Sequence, residues 1–230
     1  MNNIRIFLIN YEQQVTNYSV MCDSFKTIMK IAEGYHTEKR SRFLSFAIPV
    51  KTVGEVKDYV KQYKKKYYDA RHVCWAYMLG ADRSSFRVND DGEPSSTAGK
   101  PILGQINSNG LTDILVVVVR YFGGIELGTS GLISAYRSAA AAAITTSVIE
   151  ERTVNVELTV VFEYPSLNNI MRIVKEEHAE IVSKKNDITC EMTLCIRESL
   201  SEQLKKRLIK ELKMTNYEIK TTIENLVTRK

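Results

Sequence analysis

Arg120, followed by Tyr121, Phe122 and a run of glycines, is the group in this chain best suited to holding an anion. Residues 115–136, LVVVVRYFGGIELGTSGLISAY, read as an apolar strand, a turn carrying Gly123, Gly124, Gly128 and Gly131, and the start of an Ala-rich helix. Such a turn offers backbone N–H groups and a positive helix end to a negative ligand. Thr129 and Ser130 can cap the helix or donate to an oxyanion. An anion at a helix end gains about 0.3–1 kcal/mol, and up to about 2 in a partly buried geometry. Backbone alone is therefore weak, and Arg120 or a lysine must help. The same glycines equally suit a turn that only lets strand and helix pack closely.

A second polar loop, Asn89 to Pro101, has no apolar side chain larger than proline or alanine. Its Asp90, Asp91 and Glu93 can share a divalent cation bridged to phosphate, or form a solvated acidic turn. The segment Ala98-Gly99-Lys100-Pro101 is not a Walker A loop, and no G-x-G-x-x-G fingerprint for a dinucleotide occurs. His72 and Cys74 share one face of a strand. A Cys–His nucleophile pair is conceivable there, but Trp75 and Tyr77 mark the segment as core. No cofactor and no metal is implied, since His36 and His178 lack ligand partners at zinc spacing.

These two loops need a scaffold that brings them together. The chain has 230 residues, 44% hydrophobic and 26% charged, enough for one large or two modest domains. The formal charge is +5; residues 1–150 hold 18 basic and 14 acidic side chains, so the excess sits in the first part. That mild basicity permits a phosphate-rich partner without demanding one. Cys22, Cys74, Cys190 and Cys195 show no C-x-x-C spacing, which suits reduced thiols in a cytoplasmic protein. The apolar runs Ile4–Ile9 and Ile114–Val119 are too short to span a bilayer. Met21 is a plausible start, with residues 1–20 an N-terminal extension.

All eleven glycines lie between Gly34 and Gly131, and this break in style predicts two domains, 21–150 and 151–230, divided near Glu150. In the first, Thr27–Tyr35 and Arg42–Pro49 read as strands. Thr52–Tyr67 reads as a helix capped by Thr52, with Lys61, Lys64, Lys65 and Lys66 forming a solvated face or, less favoured, a nucleic-acid patch. Strands follow at Arg71–Leu79 and Phe86–Asn89. Thr97 is placed to cap a short helix ending near Asn109-Gly110. A buried strand spans Leu111–Tyr121 and a helix Ser130–Ser147. The second domain alternates as strand Val154–Phe162, helix Pro165–His178, strands Glu180–Lys185 and Ile188–Ile196 about an Asn186-Asp187 turn, helix Leu200–Leu212 and strand Tyr217–Ile223. That β-α-β-β-α-β order is ferredoxin-like.

The segments DARHVCWAY, NDDGEPSSTAGKPIL and VVVVRYFGGIELGTSGLISAY, in this order, resemble the IMPACT family over Phe25 to Glu150. The resemblance implies an α+β protein: an N-terminal ribosomal protein S5 domain 2-like domain followed by the smaller ferredoxin-like domain of bacterial members. It implies a function near translation, since eukaryotic members regulate a stress kinase of initiation by competing for its ribosome-associated activator. It brings no enzymatic activity with it. The implied binding residues are His72, Asp90, Asp91, Gly92, Glu93, Pro94, Ser95, Thr97, Gly99, Arg120, Tyr121, Phe122, Gly123, Gly124, Gly128 and Gly131, with Ser130 added from the helix end. The expected partners are RNA, the ribosome or a translation factor, met through phosphate in the cleft, with no membrane and no reading of DNA sequence. The alternative is a metal-assisted enzyme acting on a phosphorylated small molecule or nucleotide, with Asp90, Asp91 or Glu93 at its centre.

Overall fold

The computed structural model describes residues 24–185, 189–212 and 219–222. The expected extension 1–20, Met21, Cys22 and the Asn186-Asp187 turn lie outside them.

The first sheet has five strands: β2 (Ala32–Glu38), β3 (Ser41–Pro49), β4 (His72–Leu79), β5 (Ser85–Asn89) and β6 (Ile114–Tyr121). Their order is β2-β3-β6-β4-β5, antiparallel throughout. Strand β6 is central and buried on both faces, which is why its sequence runs as unbroken valine. On one face Val116 and Val118 join Phe43, Ile102, Leu132 and Tyr136 beneath α2 (Gly99–Ser108) and α3 (Gly128–Thr145). On the other, Leu115, Val117 and Val119 join Phe46, Val56 and Tyr63 beneath α1 (Val53–Lys66). Helix α3 meets the sheet through its alanines. A Cβ on Gly34 of β2 would lie 2.3 Å from the Ala143 backbone nitrogen, so this approach depends on small residues from both sides.

Thr52 caps α1 as its sequence suggests, its Oγ1 accepting from the Glu55 amide at 3.2 Å. The expected strand Thr27–Tyr35 is instead two strands. β1 (Ser24–Ile28) leaves the main sheet to pair with β7 (Ile149–Thr153), a strand with no clear alternation in its sequence. Glu150, the expected divide, therefore lies inside a strand that reaches back to Thr27.

A four-stranded antiparallel sheet follows, in the order β11-β8-β10-β9, from β8 (Asn155–Glu163), β9 (Glu180–Lys185), β10 (Thr189–Arg197) and β11 (Ile219–Thr222). Helices α4 (Leu167–Glu176) and α5 (Glu198–Leu212) supply its core: Ile170, Val174, Leu204 and Leu208 pack with Leu158, Phe162, Met192 and Leu194. The β-α-β-β-α-β order read from the sequence is the order observed. Among the described residues no helix is long and apolar enough to cross a membrane.

Candidate functional site

Antiparallel register gathers the expected residues at one end of the five-stranded sheet. Arg120, near the end of β6, lies opposite Phe43 on one side and His72 on the other. The β5–α2 loop and the β6–α3 loop leave the sheet at this same end. They meet in a buried ion pair, Arg120 Nη1 to Glu93 Oε1 at 2.6 Å, with both side chains almost wholly enclosed. Tyr136 of α3 donates its hydroxyl to the same oxygen at 2.8 Å. His72 Nε2 stands 3.8 Å from it, while His72 Nδ1 lies 2.8 Å from the Asp91 carbonyl, so Nδ1 carries a proton and donates. Phe43 and Phe122 flank the guanidinium, with ring centroids 5.6 and 5.7 Å from its carbon. The two loops thus converge, and Arg120 turns Nη1 to Glu93 inside the protein while its buried Nε has no partner.

The amides of the β5–α2 loop are also satisfied from within. Asp90 Oδ1 accepts from Ala98 and Gly99 at 3.0 and 2.8 Å, and Oδ2 accepts from Ser96 at 2.9 Å. Burial pushes the Asp90 carboxyl up, but the Gly99, Ser96 and Ala98 amides outweigh it and hold the group below the usual aspartate value. Asp90, not Thr97, therefore caps α2. Thr97 turns its hydroxyl and its amide to the Pro94 carbonyl. Asp91 accepts from the Val73 amide and pairs with Lys64. Ser95 is exposed in the same loop, and Gly92, at φ +87°, passes against His72. Asp90, Asp91 and Glu93 are each engaged by a different partner, so the less favoured shared cation site does not form, and the loop is not a freely solvated acidic turn either. Among the described residues no three His, Cys, Asp or Glu side chains converge to hold a metal.

Cys74 is fully buried, its sulfur 3.0 Å from the Asp90 carbonyl and 3.3 Å from Tyr136 Oη. Burial pushes both the thiol and the Tyr136 phenol far up, so neither ionises near neutrality, and the Cys74–His72 nucleophile pair fails on this ground.

The second loop is built differently. Gly123 is a packing glycine, since a Cβ there would lie 2.1 Å from the Arg40 carbonyl carbon. Its amide donates to Ser41 Oγ at 3.2 Å. Gly124 and Gly128 hold φ of +84° and +67° in open space. Helix α3 then begins after Leu127 with no side-chain cap, and Thr129 and Ser130 are exposed without capping it. Phe122 is 51% exposed beside this turn, whereas Tyr121 is partly buried, donating to Asp69 at 3.0 Å beneath the Arg42 guanidinium.

A model of the Impact N-terminal domain matches residues 39–144. The chain is 37% identical over 147 residues to the IMPACT family member YigZ of Escherichia coli (strain K12), covering 63% of this chain and 72% of that protein. This chain belongs to the IMPACT family. A eukaryotic member, Protein IMPACT of Rattus norvegicus, is 32% identical over 95 residues, 40% of this chain and 30% of that protein. A crystal structure described only as that of a hypothetical protein aligns with a TM-score of 0.61 and 27% identity, covering 88% of this chain and 98% of the other.

The span shared with the Impact N-terminal domain opens on Lys39, at the tip of the β2–β3 hairpin, and closes on Ile144 near the end of α3. It contains both loops and the Glu93–Arg120 pair. Sequence reasoning missed three of the positions that build this end of the sheet. Tyr136 has a legible signal, a hydroxyl-bearing residue on the apolar face of an alanine helix. Lys39 and Arg40 have none, because their consecutive positive φ values of 43° and 68° show only in the folded backbone.

Proposed function

We propose that this IMPACT family member is a translation-associated regulatory protein that acts by binding. Its target is RNA, the ribosome or a translation factor, and its contact face is the end of the five-stranded sheet where α3 begins. The observation that carries the reading is the uncapped first turn of α3, set beside the exposed Phe122 ring. The neighbouring Lys39-Arg40 turn is exposed, and the Arg40 backbone is packed against Gly123. Main-chain donors and a helix end can hold a phosphate, the arginine adds charge, and the phenyl ring offers a face to a base. The groups that could have supported catalysis instead hold the loops. Asp90 is a cap, Glu93 and Arg120 neutralise one another, and Cys74 stays a thiol. We further take residues 21–150 as an S5 domain 2-like domain and 151–230 as a ferredoxin-like one; the β11-β8-β10-β9 order with its two helices supports the latter.

The test is fluorescence anisotropy with a labelled single-stranded RNA, together with ribosome co-sedimentation before and after nuclease. Ser130→Asp places a carboxylate in the open turn and is expected to weaken RNA binding about tenfold, a change of about 1.4 kcal/mol. Arg40→Gln is expected to flatten the salt dependence by about 0.7 for each phosphate it no longer neutralises. Unchanged affinity and salt slope in both variants would remove the reading.

A further inference from the structure

The face of the sheet under α1 is only partly covered, and a groove of about 420 Å³ runs between that helix and strands β4 and β5. Val53, Val56 and Val60 form its helix wall, and Trp75 and Tyr77 its floor. The two aromatic rings stack, with centroids 6.1 Å apart and planes 10° from parallel, and Trp75 is partly exposed. Lys57, Lys61 and Lys64, one stripe on α1, stand along the rim with Arg87 of β5. No carboxylate lines the groove. Lys64 is answered by Asp91, but among the described residues Lys57, Lys61 and Arg87 form no ion pair. The expected solvated lysine face is thus divided. Lys66 lies over the Tyr67, Phe46 and Tyr63 rings, whereas Lys57 and Lys61 border the groove.

We propose that this groove is a second binding surface for a single strand of RNA, distinct from the α3 turn, with bases meeting Trp75 and phosphates meeting Lys57, Lys61 and Arg87. A partly exposed indole, backed by the buried Tyr77 ring and set beside cations without counter-charges, is the combination that single-stranded nucleic acid recognises. An acidic peptide would answer the cations but leave the aromatic floor without a flat partner. The choice of RNA rests on the translational reading above; the groove itself rests on its charge and its rings.

Trp75 is the only tryptophan in the chain, so its fluorescence reports the groove directly. Titration of the full-length protein with a single-stranded RNA dodecamer is expected to quench that emission. Lys57→Gln/Lys61→Gln, both exposed helix positions where the fold is not at risk, is expected to weaken the quench-detected affinity about tenfold at low salt. It should also reduce the salt slope by about 1.4, or about 0.7 for each of two phosphates released. An RNA-induced rise in anisotropy with no change in Trp75 emission would overturn the groove and leave the α3 site standing. A quench in the native protein, together with anisotropy untouched by Ser130→Asp and Arg40→Gln, would keep the groove and remove the α3 site. Equal quenching by a poly-glutamate peptide, or a salt slope unchanged in the double variant, would overturn the assignment to RNA.

Discussion

Helices α2 and α3 both follow a polar, glycine-bearing loop at the same end of the same sheet, yet one is closed and the other open. At α2 the protein supplies its own anion, because Asp90 reaches forward to three amides in and before the first turn. At α3 no side chain does so, and the turn before it swings outward through Gly124 and Gly128. The lesson is that strand, polar loop and helix in a sequence mark a helix end but do not say who occupies it. One carboxylate, set back in the loop before the helix, decides that.

The contrast is sharpest where the two loops are joined. Glu93→Ala would leave the Arg120 charge buried and unanswered, and is expected to cost about 3–5 kcal/mol, read as a lower urea midpoint. Replacing both partners by apolar groups, Glu93→Leu with Arg120→Met, is expected to cost much less than the single change. If Glu93→Ala unfolds no more easily than the native protein, the pair does not hold the loops together.

Asp90→Asn tests the closed helix end alone, with an expected cost of about 0.5–2 kcal/mol. Because the folded Asp90 carboxyl titrates below its usual value, its stabilisation is present in full above about pH 3.9. That contribution fades as pH falls through the folded value, so the native protein and the Asp90→Asn variant should converge in urea midpoint only in that acid range. Convergence at neutral pH would show that the cap contributes nothing.

The smallest effect separates the two ends by sign. Ser130→Asp should stabilise α3 by about 0.3–1 kcal/mol at low salt, because it fills an empty end. Lys100→Asp, in the first turn of α2, should destabilise, because Asp90 is already there and loses the attraction of Lys100. Thermal melts of both variants would show whether the ends differ as described.

Much of this is legible in the chain. The valine run of β6, the Thr52 cap and the alternation of the C-terminal strands carry their elements in their periodicity. The placing of both loops at one end of the sheet is not carried locally, because β5 and β6 run the same way only through the strand β4 that lies between them. Strand β7 is hidden because Ile149–Thr153 is short and mostly polar, and it exists only through its pairing with β1. The pairing of Arg120 is hidden because a charged residue beside glycines looks the same in sequence whether its partner is a ligand or Glu93.

Local order along the backbone is therefore what the amino-acid sequence determines here. Side-chain size, capping and apolar period act over a few residues, and they settle most of the strands and helices, though not the β1–β7 pair or the cap of α2. Which polar groups remain available was decided only by the tertiary structure. That outcome depends on pairs such as Arg120–Glu93 and Tyr136–Glu93, distant in the chain, which only the folded sheet brings within hydrogen-bond reach.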